Sequence, residues 1–158
     1  MHLWLVRHAV AADRDEFDGP DGERPLTSKG RRRFRRFCQC VVRQTATPEY
    51  IFSSPLVRAA QTARLLAKAY GLKKSAVQLT DLLAPGVDVG ELLRFVRDLP
   101  ADRIALVGHE PDMSTILAEL VGGGAFHFDK GFVAAIEFNS LPLAGDGRLA
   151  WFVGPRLD

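Results

Sequence analysis

At 158 residues, with 47% hydrophobic side chains and a formal net charge of +2, the chain has the length of one domain and enough apolar material for a packed core. That composition excludes a disordered or low-complexity chain, and so small a net charge does not by itself indicate a nucleic-acid or membrane-surface partner. The two cysteines, Cys38 and Cys40, stand two apart on a predicted helix, where side chains diverge; two unpaired thiols in a reducing compartment are expected, without the companion ligands that a zinc site needs.

Leu3 to Val6 are apolar without a break, which predicts a short strand buried on both faces, as in the middle of a parallel sheet. Arg7 ends the run, which is too short for a signal peptide or a membrane span, and no later segment is long enough; a soluble, cytoplasmic protein is expected. Ala9 to Arg24 is polar, carries Asp13, Asp15, Glu16, Asp18 and Asp21 beside Gly19, Pro20 and Gly22, and reads as a loop bordering whatever His8 belongs to. Thr27 or Ser28 can cap a helix to about Gln44, with Phe34, Phe37, Cys38, Val41 and Val42 on one stripe. Arg31, Arg32, Arg33, Arg35 and Arg36 surround that stripe. They read as a solvated face or as a docking surface for an acidic partner. No aromatic platform interleaves with them, which weakens a nucleic-acid reading.

Tyr50 to Ser53 is a second strand. A helix over 55–70 follows, with Pro55 at its start, Arg58 one turn in and Gly71 to end it. Ala76 to Leu79 is a weaker strand, and Pro85-Gly86 a turn. Asp88 can cap a helix carrying Leu92, Leu93, Phe95, Val96 and Leu99, stopped at Pro100. Ile104 to Val107 is again an apolar strand, followed by Gly108, His109 and a helix from Pro111 to Val121 that Gly122-Gly-Gly124 closes. Phe132 to Phe138 and Leu149 to Val153 read as two last strands joined by an Asp146-Gly147 turn. The order βαβαβαβαββ predicts a single α/β domain over 1–158: a three-layer α/β/α sandwich, mostly parallel, with an antiparallel strand near the C-terminus.

In such sheets ligands bind outside the carboxyl ends of the strands. Three strand ends there offer Arg7 and His8, Arg58, and His109. Guanidinium groups match phosphoryl oxygens with paired hydrogen bonds, which suits Arg7 and Arg58. An unprotonated imidazole is a competent nucleophile near neutral pH, and His8 is the candidate to accept a phosphoryl group and release it to water. His109 would be a charged donor to the phosphoryl oxygens, assisted by the positive end of the helix after Pro111. Two arginines and a histidine neutralise the charge without a metal or cofactor. His2 and His127 are read as structural.

Leu5-Val-Arg-His-Ala9, Arg24-Pro-Leu-Thr27 with Gly30, Ser53-Ser-Pro-Leu-Val-Arg-Ala-Ala-Gln-Thr62 and Val107-Gly-His-Glu-Pro111 occur in this order along nearly the whole chain. In these segments the chain resembles the histidine phosphatase superfamily, in its phosphoglycerate-mutase-like branch. The resemblance implies that His8 is the phosphorylated nucleophile and that Arg7, Arg58, His109 and the backbone N–H of Glu110 form the phosphate pocket. The short length, Arg24-Pro-Leu-Thr27 and Leu83-Ala-Pro-Gly86 are most similar to the SixA group, which removes phosphate from histidine on phosphorelay or phosphotransferase proteins.

Many relatives carry a glutamate before the Pro-Gly region as general acid. Here Leu82 takes that register, with Asp81, or Asp18 of the loop, as possible substitutes. A missing acid is tolerable when the bond broken is P–N, because imidazole leaves far more readily than an alkoxide. It also argues against a mutase. No long insertion follows the second strand to form a lid, which favours a phosphorylated protein over an enclosed metabolite. The substrate is thus expected to be a phosphorylated carrier protein, with small phosphate esters as the alternative. A non-catalytic module binding phosphorylated or acidic partners is the second alternative.

Overall fold

The computed structural model describes residues 1–155. Its elements are β1 (His2–Arg7), α1 (Ser28–Gln44), β2 (Tyr50–Ser53), α2 (Val57–Ala69), β3 (Val77–Leu79), α3 (Val89–Arg97), β4 (Arg103–Gly108), α4 (Asp112–Val121), β5 (Val133–Glu137) and β6 (Arg148–Val153). The strands form one sheet in the order β3-β2-β4-β1-β5-β6. β1, β2, β3 and β4 run parallel, and β5 is antiparallel to both of its neighbours, β1 and β6. This is the α/β sandwich expected from the alternation of elements.

Successive residues of a strand face opposite sides of a sheet, and both sides of the central strands are dry. Leu3, Leu5, Ile104 and Leu106 pack with Leu92 and Val96 of α3 and Met113, Ile116 and Leu117 of α4. Trp4, Val6, Ala105 and Val107 face the other way, onto Phe34 and Cys38 of α1 and Ala59, Ala63 and Leu66 of α2. Each fully buried aliphatic side chain contributes about 1.5–3 kcal/mol relative to exposure, so the unbroken runs fix both layers at once. One topological consequence positions everything that follows. β1 and β4 are adjacent and parallel, with Arg7 opposite Gly108, yet the helices that leave them lie on opposite faces. A crevice opens between two strand ends wherever that happens.

The helix ends follow from sequence chemistry. Thr27 caps α1, its Oγ1 accepting from Gly30 N–H at 2.9 Å, and Asp88 caps α3, its Oδ1 accepting from Glu91 N–H at 2.8 Å. Gly122 ends α4 with φ +83, in the left-handed region that glycine adopts without strain.

Three local expectations are corrected. Pro55 lies ahead of α2, whose cap is Leu56, and Arg58 is the second residue of that helix rather than a full turn in. Pro111 is the residue before α4, not its first turn. Asp146-Gly147 does not form a tight turn between the last strands. Residues 138–147 connect them, and Gly147 is held instead by its N–H to Leu120 O at 2.8 Å, where a Cβ would meet Ile136 at 2.7 Å.

Gly30 marks the closest approach between α1 and the chain leaving β1: a Cβ there would stand 2.2 Å from the Val10 carbonyl oxygen. The neighbour is backbone and cannot turn away. Gly30→Ala is therefore expected to destabilise the fold by about 1–3 kcal/mol, a fall in Tm of roughly 3–10 °C in a domain of this size. A thermal melt unchanged within 1 °C, on the order of a few tenths of a kcal/mol, would show that the two segments separate freely.

Candidate active site

His8 continues β1 by one residue and is pinned on both sides. Its N–H donates to Gly108 O at 3.0 Å, and its carbonyl accepts from Gly131 N–H at 3.0 Å. The next residue is anchored from α2, where Thr62 Oγ1 accepts from Ala9 N–H at 3.0 Å while donating to Arg58 O at 2.7 Å. One buried hydroxyl thus couples the residue after His8 to the helix turn that carries Arg58. His109, at the end of β4, faces His8 with ring centroids 5.2 Å apart and an interplanar angle of 56°. The crevice between β1 and β4 therefore brings both imidazoles to one place. The loop from Ala12 to Arg24 adds the residues that hold Arg58.

Both imidazoles are buried. His8 Nδ1 lies 2.8 Å from Ala9 O. A carbonyl can only accept, so Nδ1 carries the proton and Nε2 keeps its lone pair. Burial pushes the His8 pKa down to about 3, the Ala9 carbonyl works against this, and His109, Arg58 and Arg7 push further down. His109 falls to about 4, mainly through burial and then Arg58, with Asp21 opposing. Burial and the two guanidiniums thus favour the neutral ring in the resting site, while the expected charged donor concerns the ring beside a bound phosphoryl group. Its Nε2 is 2.8 Å from Ser54 Oγ, and its Nδ1 is buried without a hydrogen-bond partner among the described residues.

Arg58 is 5% exposed, and its guanidinium donates to Asp21 twice, from Nη1 to the carbonyl at 2.8 Å and from Nη2 to Oδ2 at 3.0 Å. The second carboxylate oxygen, Oδ1, accepts from Arg24 Nε at 3.0 Å. Asp21 thus bridges two cations, and Arg58 and Arg24 hold its carboxyl below the usual range despite the opposing effect of burial. Arg7 donates from Nη1 to Phe128 O and lies in the field of Glu110 and Asp129. The Nε atoms of Arg7 and Arg58 are buried without a partner among the described residues. The Glu110 side chain accepts from Ser114 Oγ through Oε1.

Asp81 and Asp18, the two candidate acids, are both exposed. Among the described residues, neither side chain makes a hydrogen bond or ion pair with Arg7, His8, Arg58 or His109. Leu82 packs against the core. His2 stands at the far end of β1, 4.0 Å from Glu137 Oε1, and His127 is exposed and 3.2 Å from Asp129 Oδ1. Sequence reasoning missed Asp21, Arg24, Ser54 and Thr62 as parts of the site. The last three lie inside the motif segments, but Asp21 was one of several loop acids with nothing in its neighbours to set it apart. Cys38 is buried and Cys40 exposed, and both are free.

Two imidazoles and one guanidinium at the ends of β1 and β4, with a second guanidinium from the first turn of α2, have the charge and geometry to hold a tetrahedral anion. The fold is that of a histidine phosphatase. Residues 3–84 match the histidine phosphatase superfamily (branch 1), and the chain belongs to that family. It is 35% identical over 130 residues to an uncharacterized protein of Picosynechococcus sp., covering 80% of this chain and 77% of the relative. Its fold matches the protein histidine phosphatase SixA, solved with tungstate, at TM-score 0.86 and 25% identity, over 98% of this chain and 97% of that one. A phosphoserine phosphatase variant from Entamoeba histolytica, solved with phosphoserine, shares the fold at TM-score 0.69 and 16% identity, over 96% of this chain and 95% of that one.

The pKa directions set a stability profile. Both histidines are depressed in the folded state, so between pH 6.5 and about 4 the unfolded chain binds protons that the folded chain does not. Their contribution is complete above pH 6.5 and is lost progressively as the pH falls. The urea midpoint of the wild type is expected to drop from pH 7 to about pH 4, and to drop less steeply in His8→Asn, which removes one of the two groups. Parallel curves for the two proteins would contradict a depressed His8.

Proposed function

We propose that the protein is a metal-independent phosphatase that removes phosphate from histidine on a partner protein through a phosphorylated His8. The observation that carries the reading is the convergence of Arg7, His8, Arg58 and His109 on one crevice, with His8 Nδ1 committed to Ala9 O and Nε2 bearing the lone pair. Arg7, Arg58 and the Glu110 N–H bind the phosphoryl oxygens. His8 Nε2 attacks phosphorus, a new P–N bond forms as the substrate's P–N bond breaks, and the departing imidazole takes the electron pair, its other nitrogen bearing the proton. Water then attacks the phosphorus on His8. The P–Nε2 bond breaks, inorganic phosphate leaves, and His8 returns to its starting form.

One feature favours phosphohistidine over an ester. Neither Asp81 nor Asp18 hydrogen-bonds to the four site residues, and an alkoxide would need a proton that an imidazole already protonated on its other nitrogen does not. Two guanidiniums supply two positive charges for the phosphoryl oxygens without an ion. The likeness to SixA points the same way.

The test is a panel of kcat/KM values on histidine-phosphorylated carrier proteins and on sugar phosphates and phosphoserine. A preference for phosphohistidine is expected, insensitive to excess EDTA, with His8→Ala lowering turnover by roughly 10⁴-fold or more. Acid-labile phosphate should be trapped on wild-type protein and not on His8→Ala. A preference for the esters would place the protein with the small-substrate phosphatases, and failure to trap phosphate would leave a binding module.

A further inference from the structure

Two contiguous hollows of about 490 Å³ and 460 Å³ run along the outer side of the sheet between α1 and the edge strand β6, sharing Phe37, Cys40 and Val153. Their floor is mostly apolar: Phe37, Val41, Trp151 and Val153, the last 45% exposed; the lower hollow also carries Gln44 and Glu137, the latter paired with Arg148. Their rim is basic. Arg33 and Arg36 line the upper hollow, and Arg31, Arg32 and Arg35 stand exposed on the same helix. From Ser28 to Gln44, α1 contains no carboxylate, and none of Arg31, Arg32, Arg35 and Arg36 has an ion-pair partner among the described residues.

The upper hollow lies at the level of the sheet's carboxyl edge: Val153, which lines it, pairs with Val133 of β5, and Val133 pairs with Val6 of β1, two residues before His8. A protein whose phosphorylated residue sits over His8 and which extends two strands toward β6 meets that hollow. From Arg33 to Gln44 the groove spans about 16 Å along α1, the length of three helical turns.

We propose that this groove is the docking surface for the phosphoprotein substrate, and that it takes an acidic amphipathic segment about three helical turns long. The proposal rests on the phosphohistidine reading above. Apolar residues of the segment cover Phe37, Trp151 and Val153, and its carboxylates pair with Arg32 and Arg36. Uncompensated rim cations set the sign of the partner and raise its encounter rate, and the apolar floor supplies the affinity. An acidic protein segment is preferred to a nucleic-acid duplex because the floor offers apolar surface and, among the described residues, Arg33 and Arg36 are the only cations lining the hollow. A duplex would need cations on both sides of a polar track.

The experiment compares wild type, the double variant Arg32→Glu/Arg36→Glu, and Val153→Ser, none of which alters a residue of the phosphate pocket. The substrates are a histidine phosphotransfer domain phosphorylated with phosphoramidate, and p-nitrophenyl phosphate. The expected result is a KM for the phosphoprotein raised roughly 10-fold in each variant, with kcat and the p-nitrophenyl phosphate rate unchanged. The phosphoprotein KM of the wild type should rise with salt, and that of the double variant should not. An unchanged phosphoprotein KM in both variants overturns the docking surface and leaves the phosphohistidine reading intact. Equal losses on both substrates overturn it too, since the arginines would then act on catalysis. A wild type active on p-nitrophenyl phosphate alone overturns the phosphohistidine reading and the docking surface with it. Binding of a labelled RNA duplex that the double variant loses, with phosphoprotein turnover untouched, assigns the face to nucleic acid instead.

Discussion

The structure depends on holding two guanidiniums and two imidazoles together where little water reaches. Like charges at a few ångströms in a poorly solvated site cannot all persist, and the groups respond differently. Arginine keeps its proton in any protein environment, so Arg7 and Arg58 stay cationic and are steadied by oxygens: the Phe128 carbonyl for one, the Asp21 carboxylate and carbonyl for the other. Histidine yields its proton, and His8 and His109 become neutral. The same crowding that makes the pocket attract an anion thus leaves its imidazoles unprotonated, which is the state a nucleophile needs.

Such crowding requires a scaffold that cannot relax. β1 is flanked by β4 along His2–Arg7 and by β5 along His2–Val6, and His8 is tied to Gly108 on one side and Gly131 on the other. The opposite-facing exits of α1 and α4 open the crevice, and Thr62 and Gln61 of α2 stitch the loop back onto it, the latter accepting Leu26 N–H at 2.8 Å. The glycines at the seams are placed by contact: Gly108 leaves room for Met113, whose Cε methyl would stand 2.7 Å from an added Cβ.

Much of this was legible in the sequence because the relevant forces are local or periodic. Unbroken apolar runs at Leu3–Val6 and Ile104–Val107 require burial on both faces, which places them at the middle of the sheet, β4 between two parallel neighbours and β1 between parallel β4 and antiparallel β5, with their following residues at its carboxyl edge. Thr27 and Asp88 announce helix starts through a hydrogen bond made within three residues. What was not legible depends on distance in sequence. Asp21 is 37 residues from Arg58, and nothing in Asp-Gly-Glu distinguishes it from Asp13 or Asp18 until the loop folds over α2. The downward pull on the His109 pKa was likewise hidden, since it follows from burial and from the approach of Arg58 and Arg7, and not from its neighbours Gly108 and Glu110. The connection between β5 and β6 misled because Asp-Gly favours a tight turn, whereas Gly147 here is fixed by the end of α4.

In the proposed mechanism the neutral resting imidazoles and the absent acid belong together. A phosphoryl group entering between Arg7 and Arg58 brings negative charge to within reach of both rings, and each pKa must rise from its depressed value as it does so. His8 then attacks, and the bond it forms removes its lone pair from further protonation. His109, still 5.2 Å away by ring centroid, is left as the one imidazole able to take up a proton in the field of the new phosphohistidine. Charge on His109 would thus arrive with the substrate instead of preceding it. A permanently charged His109 would lower the basicity of His8 further. A ring that is neutral when the site is at rest and cationic only beside a phosphoryl group stabilises the transferring charge more than the ground state, which is the condition for accelerating the step.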